Sequence, residues 1–568
     1  MRRDLRVLKT ILPAWAIAFL RRLRDLARRG RQLRLHTPRA RREAALQELQ
    51  ALPAQPLISL VMPTYKTDLK LLREAVDSVR KQVYAEWELV IVDDGSESPA
   101  LERALSALPI ADERIKFELL KENAGISAAT NAGLARCEGE FVGFLDHDDT
   151  LTPDALLRVA QALAADPELD VVYSDSDKLT IGGVRADPFL KPDWSPVYAL
   201  GAMYIGHLLV VRTLVAEAAG GFDSAFDKIQ DFEFMLRVSE RTGRIHHIPQ
   251  ILYHWRAIPG SIAAGTEQKA GVEELQARAV SAHLERLGLP ARAVPHAAIP
   301  HRAVLAPANG SVPQPQVSII VAARGAGAEL ERLRRSLEKT EYPDFETIVI
   351  EEGSRAEAHN AGAARASGSY LCFLAPDTEI VDPGWLSQLV LHAPLPDVAA
   401  VGPKLVRADG KVEQAGIAIG LRDPAAPMLA GVAAEGDGYY GALPCSREVS
   451  GLSAECMLLA RGDFEREGGF VELYAGEFED LDLCQRLAHS GRKCVYAATA
   501  TVLSHRGEAA RRADSDIVDR ALFVDTWYDE LLAGDPYFNR GFARQRADYV
   551  PSGWLEPVHR AVGAMRSR

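Results

Sequence analysis

The feature that most constrains this chain is the stretch GEFVGFLDHDDT at 139–150, where a short apolar strand runs directly into three carboxylates. Asp146, Asp148 and Asp149 would repel one another at the end of a buried strand, and a divalent cation would remove that repulsion. Hard cations such as Mg²⁺ and Mn²⁺ prefer carboxylate oxygens and are often shared with substrate phosphates. The stretch therefore predicts a strand end with a candidate metal site. A polar strand-to-helix turn is the alternative interpretation.

Apolar runs alternate with amphipathic helical stretches on both sides of this feature. The pattern predicts strands at 58–62, 87–92, 116–120 and 141–145, with a helix between each pair. Such alternation is typical of an α/β domain with a mostly parallel sheet. Ligands bind beyond the carboxyl ends of the strands in such sheets. Three polar sequences follow these strands: PTY at 63–65, DDGS at 93–96 and DHDD at 146–149.

The same pattern occurs a second time, after a segment rich in proline and alanine. Residues 317–321 resemble 58–62, and residues 370–377 resemble 141–148. A repeat this long indicates duplication of a whole domain rather than a solenoid. The predicted organisation is a basic helical leader at 1–50, a first domain at 56–289, a linker at 290–315, a second domain at 316–510 and a C-terminal helical tail at 511–568.

Charge is distributed unevenly along the 568 residues. The formal net charge is −12, yet residues 1–50 hold 14 arginines and lysines against 4 acidic residues. The rest of the chain is therefore strongly acidic, which argues against nucleic-acid binding because that function needs a basic surface. Six cysteines without a CxxC pair are typical of reduced thiols in a cytoplasmic protein.

The basic leader has two interpretations. Its apolar run at 11–20 is too short to span a bilayer, and arginines follow it directly. A helix of this kind can lie on an anionic membrane surface, which predicts a peripheral position at the inner face of the plasma membrane. A solvated helical leader, or a helix packed on the body of the protein, is the alternative.

Six motifs in one order now identify a family that the chain resembles. They are PTY (63–65), VDDGS (92–96), ENAGISAATNAG (122–133), DHDD (146–149), QDFEF (230–234) and YHWR (253–256). Both halves resemble family 2 glycosyltransferases of the GT-A fold. The whole chain resembles tandem-domain enzymes that build rhamnan, O-antigen or capsular polysaccharide. The resemblance implies two tandem GT-A domains, each Rossmann-like with a mostly parallel sheet.

The resemblance also implies an activity. The chain would move a sugar from a nucleotide diphosphate sugar to a glycan or lipid-linked glycan acceptor, with inversion and with Mg²⁺ or Mn²⁺ as cofactor. Asp231 matches the catalytic carboxylate that takes the proton of the acceptor hydroxyl. The alternative for Asp231 is a cap on the following helix.

Binding residues of the first domain follow from the same motifs. The implied metal ligands are Asp146 and Asp148, and His254 would be a further ligand or touch the diphosphate. For His254 a core histidine is the alternative. The residues implied to hold the nucleotide are Pro63, Tyr65, Asp93, Asp94 and Asn131.

The second half departs further from the family pattern. Its implied base is Asp480, its nucleotide residues are Glu352 and Asn360, and its metal residues are Asp377 and His505. Ala375 replaces the first acidic position of the metal motif, and the segment between 354 and 360 is too short for the usual helix and third strand. We expect a divergent but active second transferase. A degenerate module that holds the growing glycan is the alternative for this half, and a non-catalytic scaffold of a polysaccharide assembly complex is the alternative for the whole chain.

Overall fold

The computed structural model of the protein describes residues 45–180, 182–257, 271–310, 312–421, 423–506, 517–544 and 549–552. Nearly all of the predicted basic leader lies outside these residues, as do the beginning and the end of the predicted C-terminal tail. Across the described ranges, no helix has both the length and the apolar character that crossing a bilayer requires.

The first domain alternates strands and helices as predicted. Its strands are β1 (Ile58–Thr64), β2 (Trp87–Asp93), β3 (Ile115–Leu119), β4 (Phe141–Phe144), β5 (Thr150–Leu151), β6 (Val171–Leu179), β7 (Arg185–Phe189), β8 (Leu209–Arg212) and β9 (Ile245–Arg256). Its helices are α1 (Leu69–Arg80), α2 (Pro99–Ala111), α3 (Ile126–Leu134), α4 (Ala155–Ala165), α5 (Pro196–Gly201), α6 (Thr213–Ala218) and α7 (Gln230–Ser239), and a short 3₁₀ turn covers Ser224–Phe226.

Helix α1 shows why these segments fold locally. Asp68 caps its first turn by accepting hydrogen bonds from the amides of Lys70 and Leu71, at 2.7 and 3.3 Å. One face of the helix repeats apolar residues at helical spacing and is buried against the sheet. That face consists of Leu72, Ala75, Val76 and Val79.

The first sheet has the strand order β3-β2-β1-β4-β8-β6-β9-β5, with β7 paired to β6. Strands β1 to β4 pair in parallel, as the pattern predicted. Strand β8 then lies antiparallel between β4 and β6, and β5 and β7 are also antiparallel to their partners. The α/β class is therefore confirmed, but the sheet is mixed rather than mostly parallel. Local alternation indicates which segments are strands, and it does not indicate which neighbour an isolated strand such as β8 will choose.

Parallel pairing brings the polar strand ends together. In the register of β1 with β2, Thr64 lies opposite Asp93. The amide of Leu145, just past β4, donates to the carbonyl of Val61 at 3.1 Å, and the amide of Asp94 donates to the carbonyl of Thr64 at 2.9 Å. The three polar sequences therefore lie at one edge of the sheet.

The segment predicted as a linker is structured. Helix α8 (Val272–Arg286) precedes strands β10 (Ala291–Pro295) and β11 (Ala303–Pro307), which form an antiparallel hairpin. Ala291, Ala293, Ala303 and Leu305 from this hairpin are buried in a hydrophobic cluster with α8. The prolines had indicated an irregular connection, but Pro295 and Pro307 end the two strands, and the other prolines of this segment lie outside them.

The second domain repeats the frame of the first. Its strands are β12 (Val317–Ala322), β13 (Phe345–Ile350), β14 (Tyr370–Leu374), β15 (Thr378–Ile380), β16 (Val398–Arg407), β17 (Val412–Gln414), β18 (Ile417–Ile419), β19 (Ala425–Pro427), β20 (Arg447–Val449), β21 (Cys456–Ala460) and β22 (Lys493–Ser504). Its helices are α9 (Gly327–Leu337), α10 (Arg355–Arg365), α11 (Trp385–His392), α12 (Arg461–Arg466) and α13 (Glu479–His489), with a 3₁₀ turn at Tyr439–Gly441.

The second sheet has the order β13-β12-β14-β21-β16-β22-β15, with β17 paired to β16 and β20 paired to β22. This order matches the first sheet strand for strand from β2 onwards. Within the described part of the chain, β13 is the edge strand and has no neighbour equivalent to β3. The prediction of a missing third strand is therefore confirmed. The reason is length, since α10 starts directly after β13.

The two domains share a core. One hydrophobic cluster contains Val197, Ile229 and Phe232 from the first domain together with Val317 and Trp385 from the second. After the second domain the chain forms helices α14 (Ile517–Thr526) and α15 (Tyr528–Ala533) and then turns back toward the first domain. There the side chain of Asn539 donates to Asp175 of β6. The C-terminal region is therefore helical only in part.

Candidate active site

A cleft at the carboxyl edge of the first sheet brings together three residues from separate motifs. Pro63 lies near the end of β1, Asp146 follows β4, and Asp231 lies in the first turn of α7, and all three line one cleft. The remaining lining residues are Ile126, Thr130, Phe144, Leu145, Gly206, His207, Leu209, Phe222 and Gln230.

The acidic loop is fixed in place by its last carboxylate. Asp149 is buried, and it accepts a hydrogen bond from the Tyr253 hydroxyl at 2.5 Å and from the Arg256 amide at 2.6 Å. The Arg256 side chain donates to the carbonyl of Asp148 at 2.5 Å, and the Asp146 amide donates to the Tyr253 hydroxyl at 3.3 Å. Asp149 therefore supports the loop, which leaves Asp146 and Asp148 as the carboxylates available to a ligand.

The electrostatics of this edge favour a bound cation. Burial raises the pKa of Asp148, and the neighbouring charge of Asp146 raises it further. Burial also raises the pKa of Asp231, while His207 and the Phe232 amide lower it in part. Asp146 acts on both of these groups as a like charge. Carboxylates that repel one another in this way are stabilised by a divalent cation or another positive charge.

His207 is a site residue that the sequence motifs did not indicate. Its Nε2 lies 3.7 Å from an Asp146 oxygen, and its ring stacks on Tyr253 with a centroid separation of 5.2 Å. Its Nδ1 is buried and has no hydrogen-bond partner among the described residues, and the same holds for Oε1 of Gln230. Both residues line the cleft. The only local signal was a Gly-His pair directly before an apolar strand, which is too common a pattern to single out.

Part of the first domain matches a known protein family. Residues 59–187 match the sequence profile described as glycosyl transferase family 2. This stretch of the first domain belongs to that family. The matched range includes the acidic loop and the ends of β1, β2 and β4.

Similar proteins extend over most of the chain. It is 34% identical over 542 residues to the uncharacterized protein y4gI of Sinorhizobium fredii, an alignment that covers 88% of this chain and 59% of that protein. It is 38% identical over 549 residues to the O-antigen biosynthesis protein RfbC of Myxococcus xanthus, covering 88% of this chain and 41% of that protein. The chain thus spans about half the length of these curated relatives.

Among solved structures, the chain is similar to TarS of S. aureus in complex with UDP-GlcNAc. The sequence identity is 22% and the TM-score is 0.33, over 40% of this chain and 66% of that one.

The predicted nucleotide carboxylates of the family 2 domain hold its own loops. Asp94 accepts hydrogen bonds from the side chain of Asn123 at 2.8 Å and from the amides of Ala124 and Gly125 at 2.8 and 2.9 Å. Asp93 accepts from the Ser96 hydroxyl at 2.5 Å and the Ser96 amide at 3.0 Å. Both carboxylates are buried. Their first role is therefore to fix the loops around the cleft. Pro63 lies in the cleft, and Tyr65 is 41% exposed at its edge of the sheet.

The prediction that Asn131 binds nucleotide is not supported by its contacts. Its side chain donates to the carbonyl of Phe222 and accepts from the Phe222 amide, both at 2.8 Å. A Cβ on Gly221 would lie only 2.5 Å from the Asn131 oxygen, so the loop approaches closely at a position with φ of +65°. The Asn131 side chain therefore holds this loop through both its amide nitrogen and its oxygen.

Asn360 of the second domain makes the same two contacts. It donates to the carbonyl of Phe470 and accepts from the Phe470 amide, both at 2.9 Å. The predicted nucleotide role of Asn360 is corrected for the same reason.

His254 has a carboxylate partner on the neighbouring strand, and its predicted contact with a metal or a diphosphate stays a prediction. Its Nδ1 lies 2.6 Å from an oxygen of Asp177 on the neighbouring strand β6. The other oxygen of Asp177 accepts from Arg185 at 2.6 Å. The structure therefore pairs His254 with Asp177, and the histidine beside Asp146 is His207.

In the second domain, two backbone amides and an arginine lie around the predicted base. Asp480 accepts hydrogen bonds from the amides of Ala454 and Leu481, both at 2.9 Å. Arg355 places a guanidinium nitrogen 3.9 Å from Asp480 and donates to the buried Glu479. Arg355 precedes Asn360 by the same spacing that Ile126 has before Asn131. An arginine thus replaces an apolar cleft residue and lies beside Asp480 as an ion partner.

The remaining second-domain residues do not assemble a matching site. Glu352 is exposed after β13, and Asp377 accepts the His505 amide through its backbone carbonyl at 2.9 Å. The His505 ring pairs with Glu379 at 2.9 Å.

His505 was also matched to the wrong residue. In the first domain Leu151 pairs with Tyr253, and in the second domain Ile380 pairs with Val502. Leu151 and Ile380 are equivalent residues, because the amide of each donates to a serine hydroxyl, that of Ser78 and that of Ser336. Arg256 lies three residues after Tyr253, and His505 lies three residues after Val502, so His505 is equivalent to Arg256. His505 is therefore not the counterpart of His254.

Proposed function

We propose that the first domain transfers a sugar from a nucleoside diphosphate sugar to a glycan acceptor by a single displacement that inverts the anomeric centre. The observation that carries this proposal is the cleft of the family 2 domain, which Asp146 and Asp231 line together. One carboxylate at the metal motif and one at a helix start serve different tasks. A direct displacement needs only one base, and no covalent intermediate on the enzyme.

Asp231 is the base of this proposal. Its carboxylate would take the proton of the acceptor hydroxyl as that oxygen attacks the sugar. Burial raises its pKa above that of an exposed aspartate, which makes the ionised carboxylate a stronger base. The N-terminus of α7 and the nearby His207 favour the ionised form.

Asp146 and Asp148 fit an open site for a divalent cation, in which the protein supplies only some of the ligands. Among the described residues, no three His, Cys, Asp or Glu side chains gather as a closed metal site. Mg²⁺ and Mn²⁺ commonly bind through one or two carboxylates and take their remaining ligands from substrate phosphates and water. Such a cation supplies Lewis-acid stabilisation of the charge on the departing diphosphate.

The acceptor and the pathway are proposed from the relatives. The name of RfbC places that protein in O-antigen biosynthesis, and this chain is similar to part of it. We assign the chain to surface polysaccharide assembly at the cytoplasmic face of the membrane, where sugar nucleotides are made. The basic leader would provide the peripheral membrane contact.

The second domain is proposed to be non-catalytic. Arg355 beside Asp480 is the specific observation that favours this role over a second transferase. A glycan-binding or scaffold function is then the second candidate, and it applies to this half of the chain.

The test is turnover of a panel of nucleotide sugars by the full chain, with Mn²⁺ and then with EDTA. We expect Mn²⁺-dependent release of the nucleoside diphosphate, which Asp231→Asn abolishes and Asp480→Asn preserves. No turnover with any donor would leave the scaffold function. Loss of half the turnover in Asp480→Asn would restore the second domain as an enzyme.

A further inference from the structure

Lys191 is a fully buried lysine that lies behind the proposed transfer site. Its side chain is 0% exposed, and its ammonium donates to the carbonyls of Ser174 at 2.5 Å, His207 at 3.0 Å and Ile205. An ammonium has three donors, so these three carbonyls satisfy it completely. Buried charges are tolerated only under such conditions.

Two of the three carbonyls belong to the wall of the cleft. The segment from Ile205 to His207 contains Gly206 and His207, which both line the cleft with Asp146 and Asp231. The His207 ring lies 3.7 Å from Asp146. A Cβ on Gly206 would lie 4.0 Å from the Lys191 nitrogen, so the ammonium sits directly behind this wall. Removing the ammonium would leave the carbonyls buried without a donor, and the wall would have to shift.

The C-terminal part of the chain holds Lys191 in turn. Asn539 donates to the Lys191 carbonyl at 2.7 Å and to Asp175 at 3.0 Å. Asp175 also accepts from the Lys191 amide at 2.8 Å and pairs with His247 at 2.9 Å. The segment after α15 therefore closes the same network from the other side.

Residues of the second domain form hydrogen bonds on both sides of Lys191 in the sequence. Tyr439 donates to the carbonyl of Pro188 at 2.6 Å and accepts from the amide of Leu190 at 3.0 Å. Glu448, which is fully buried, accepts from the Ser195 hydroxyl and from the Val197 amide at 3.1 Å. The loop around Lys191 is thus held by residues that lie far away in the sequence.

We propose that Lys191 is a positioning residue of the transfer site, which sets the Ile205–His207 wall beside Asp146 and Asp231, and that Asn539 keeps Lys191 in place. This inference rests on the proposed function of the first domain. It gives the non-catalytic half of the chain a task, since that half and its C-terminal extension hold the wall of a cleft that belongs to the other half.

The competing possibility is that Lys191 and Asn539 only stabilise the fold. A structural residue lowers the melting temperature and leaves ligand affinity of the folded protein unchanged. A positioning residue changes affinity at temperatures where the variant is still folded. Gln485 supplies the matched control, because it is a buried amide of the second domain that donates to the Ser450 carbonyl at 2.8 Å and has no contact with the first domain's network.

The experiment uses the full chain as wild type, Lys191→Met, Asn539→Ala and Gln485→Ala. Melting temperature is measured first. Calorimetry well below melting then gives the Kd for Mn²⁺ with uridine, guanosine or thymidine diphosphate, tested in turn. We expect binding to weaken about tenfold in Lys191→Met and by a smaller factor in Asn539→Ala, because buried carbonyls lose their donors. We expect Gln485→Ala to melt earlier and to bind as the wild type does.

Two outcomes contradict the inference in different ways. If the wild type binds and Asn539→Ala differs from it only in melting temperature, as Gln485→Ala does, the positioning role is wrong and the proposed function stands. If the wild type binds none of the three diphosphates with Mn²⁺, the proposed function is wrong, and this inference, which rests on it, is wrong as well. Should Lys191→Met not fold, the Asn539→Ala and Gln485→Ala pair decides the question alone.

Discussion

At the scale of single residues, Asp231 carries the sharpest expectation. We predict that Asp231→Asn lowers kcat by about 10²- to 10⁴-fold, the range that a general base contributes. Donor binding should survive, because the amide keeps the size of the acid and can still accept the hydrogen bond from the Phe232 amide. Single-turnover rates and calorimetric Kd values for the donor separate the two effects. An equal loss of binding and rate would make Asp231 a structural residue.

The pH dependence of transfer tests the same group. Burial raises the pKa of Asp231, so its ionised fraction falls at a higher pH than that of an exposed aspartate with a pKa of about 3.9. Only the ionised carboxylate can accept a proton. We therefore predict that kcat/KM falls as the pH is lowered through the raised pKa, and that this acid limb disappears in Asp231→Asn. A flat profile down to the ordinary aspartate range would contradict the assignment.

Neighbouring aspartates of the acidic loop should behave differently. Asp148→Asn is expected to remove Mn²⁺-dependent donor binding. The melting temperature should change little, because the loop is held by the side chain of Asp149 rather than by that of Asp148. Asp149→Asn should instead destabilise the protein by about 1–3 kcal/mol, because one of the two accepting oxygens becomes an NH2 group, which cannot accept from the Tyr253 hydroxyl or the Arg256 amide. Thermal melts and Mn²⁺ titrations of both variants check the contrast. The reverse pattern would exchange their roles.

At the scale of elements, the duplicated frame has kept its buried hydrogen bonds. The Tyr84 hydroxyl donates to the Pro56 carbonyl at 2.7 Å, and Tyr342 repeats this contact with Pro315 at 2.6 Å. Arg237 pairs with Glu233 on α7, and Arg486 pairs with Asp482 on α13. Buried polar groups without partners are costly, so these contacts persist wherever the fold persists. The cleft residue Ile126 takes no part in these contacts, and Arg355 stands in its place in the second copy.

Asn131 and Asn360 turn this comparison into a prediction. Each asparagine satisfies both the amide and the carbonyl of a phenylalanine, so each alanine substitution leaves two loop groups unpaired. We predict a similar loss for the two variants, on the order of 1–3 kcal/mol. Denaturant unfolding measures it. Asn131→Ala should also slow transfer, because its loop contains the cleft residue Phe222, and Asn360→Ala should not. Equal loss of activity would contradict this division.

The same elements show what could be predicted from the sequence. Apolar runs with polar ends predicted β1, β2, β3 and β4 and their convergence, because parallel pairing follows from local alternation. The position of β8 could not be predicted, since a short apolar strand fits any open edge. His207 enters the cleft only through that strand. The contacts of Asn131 and Arg355 were equally hidden, because they depend on partners about a hundred residues away.

At the scale of the whole molecule, the two halves share a hydrophobic cluster, so we expect them to unfold together. The shared cluster places Val197 and Ile229 against the second domain, and Glu448 is buried against α5. We predict that Glu448→Ala lowers a single melting transition of the full chain, because the Ser195 hydroxyl and the Val197 amide lose their acceptor. Differential scanning calorimetry tests this, with Glu465→Ala on the exposed face of α12 as the control. Two separate transitions, with only one of them shifted, would show independent domains.

Burial of one copy against the other has a consequence for how such a gene can change. A duplicate that has lost its chemistry is ordinarily free to be deleted, and the surviving copy returns to its ancestral form. Here the second domain supplies part of the hydrophobic cluster on which the first domain packs, with Trp385 and Val317 among its members. Deleting the second domain would expose the apolar side chains that the first domain contributes to that cluster. We therefore expect packing alone to favour retention of the second domain, whether or not it ever touches a sugar.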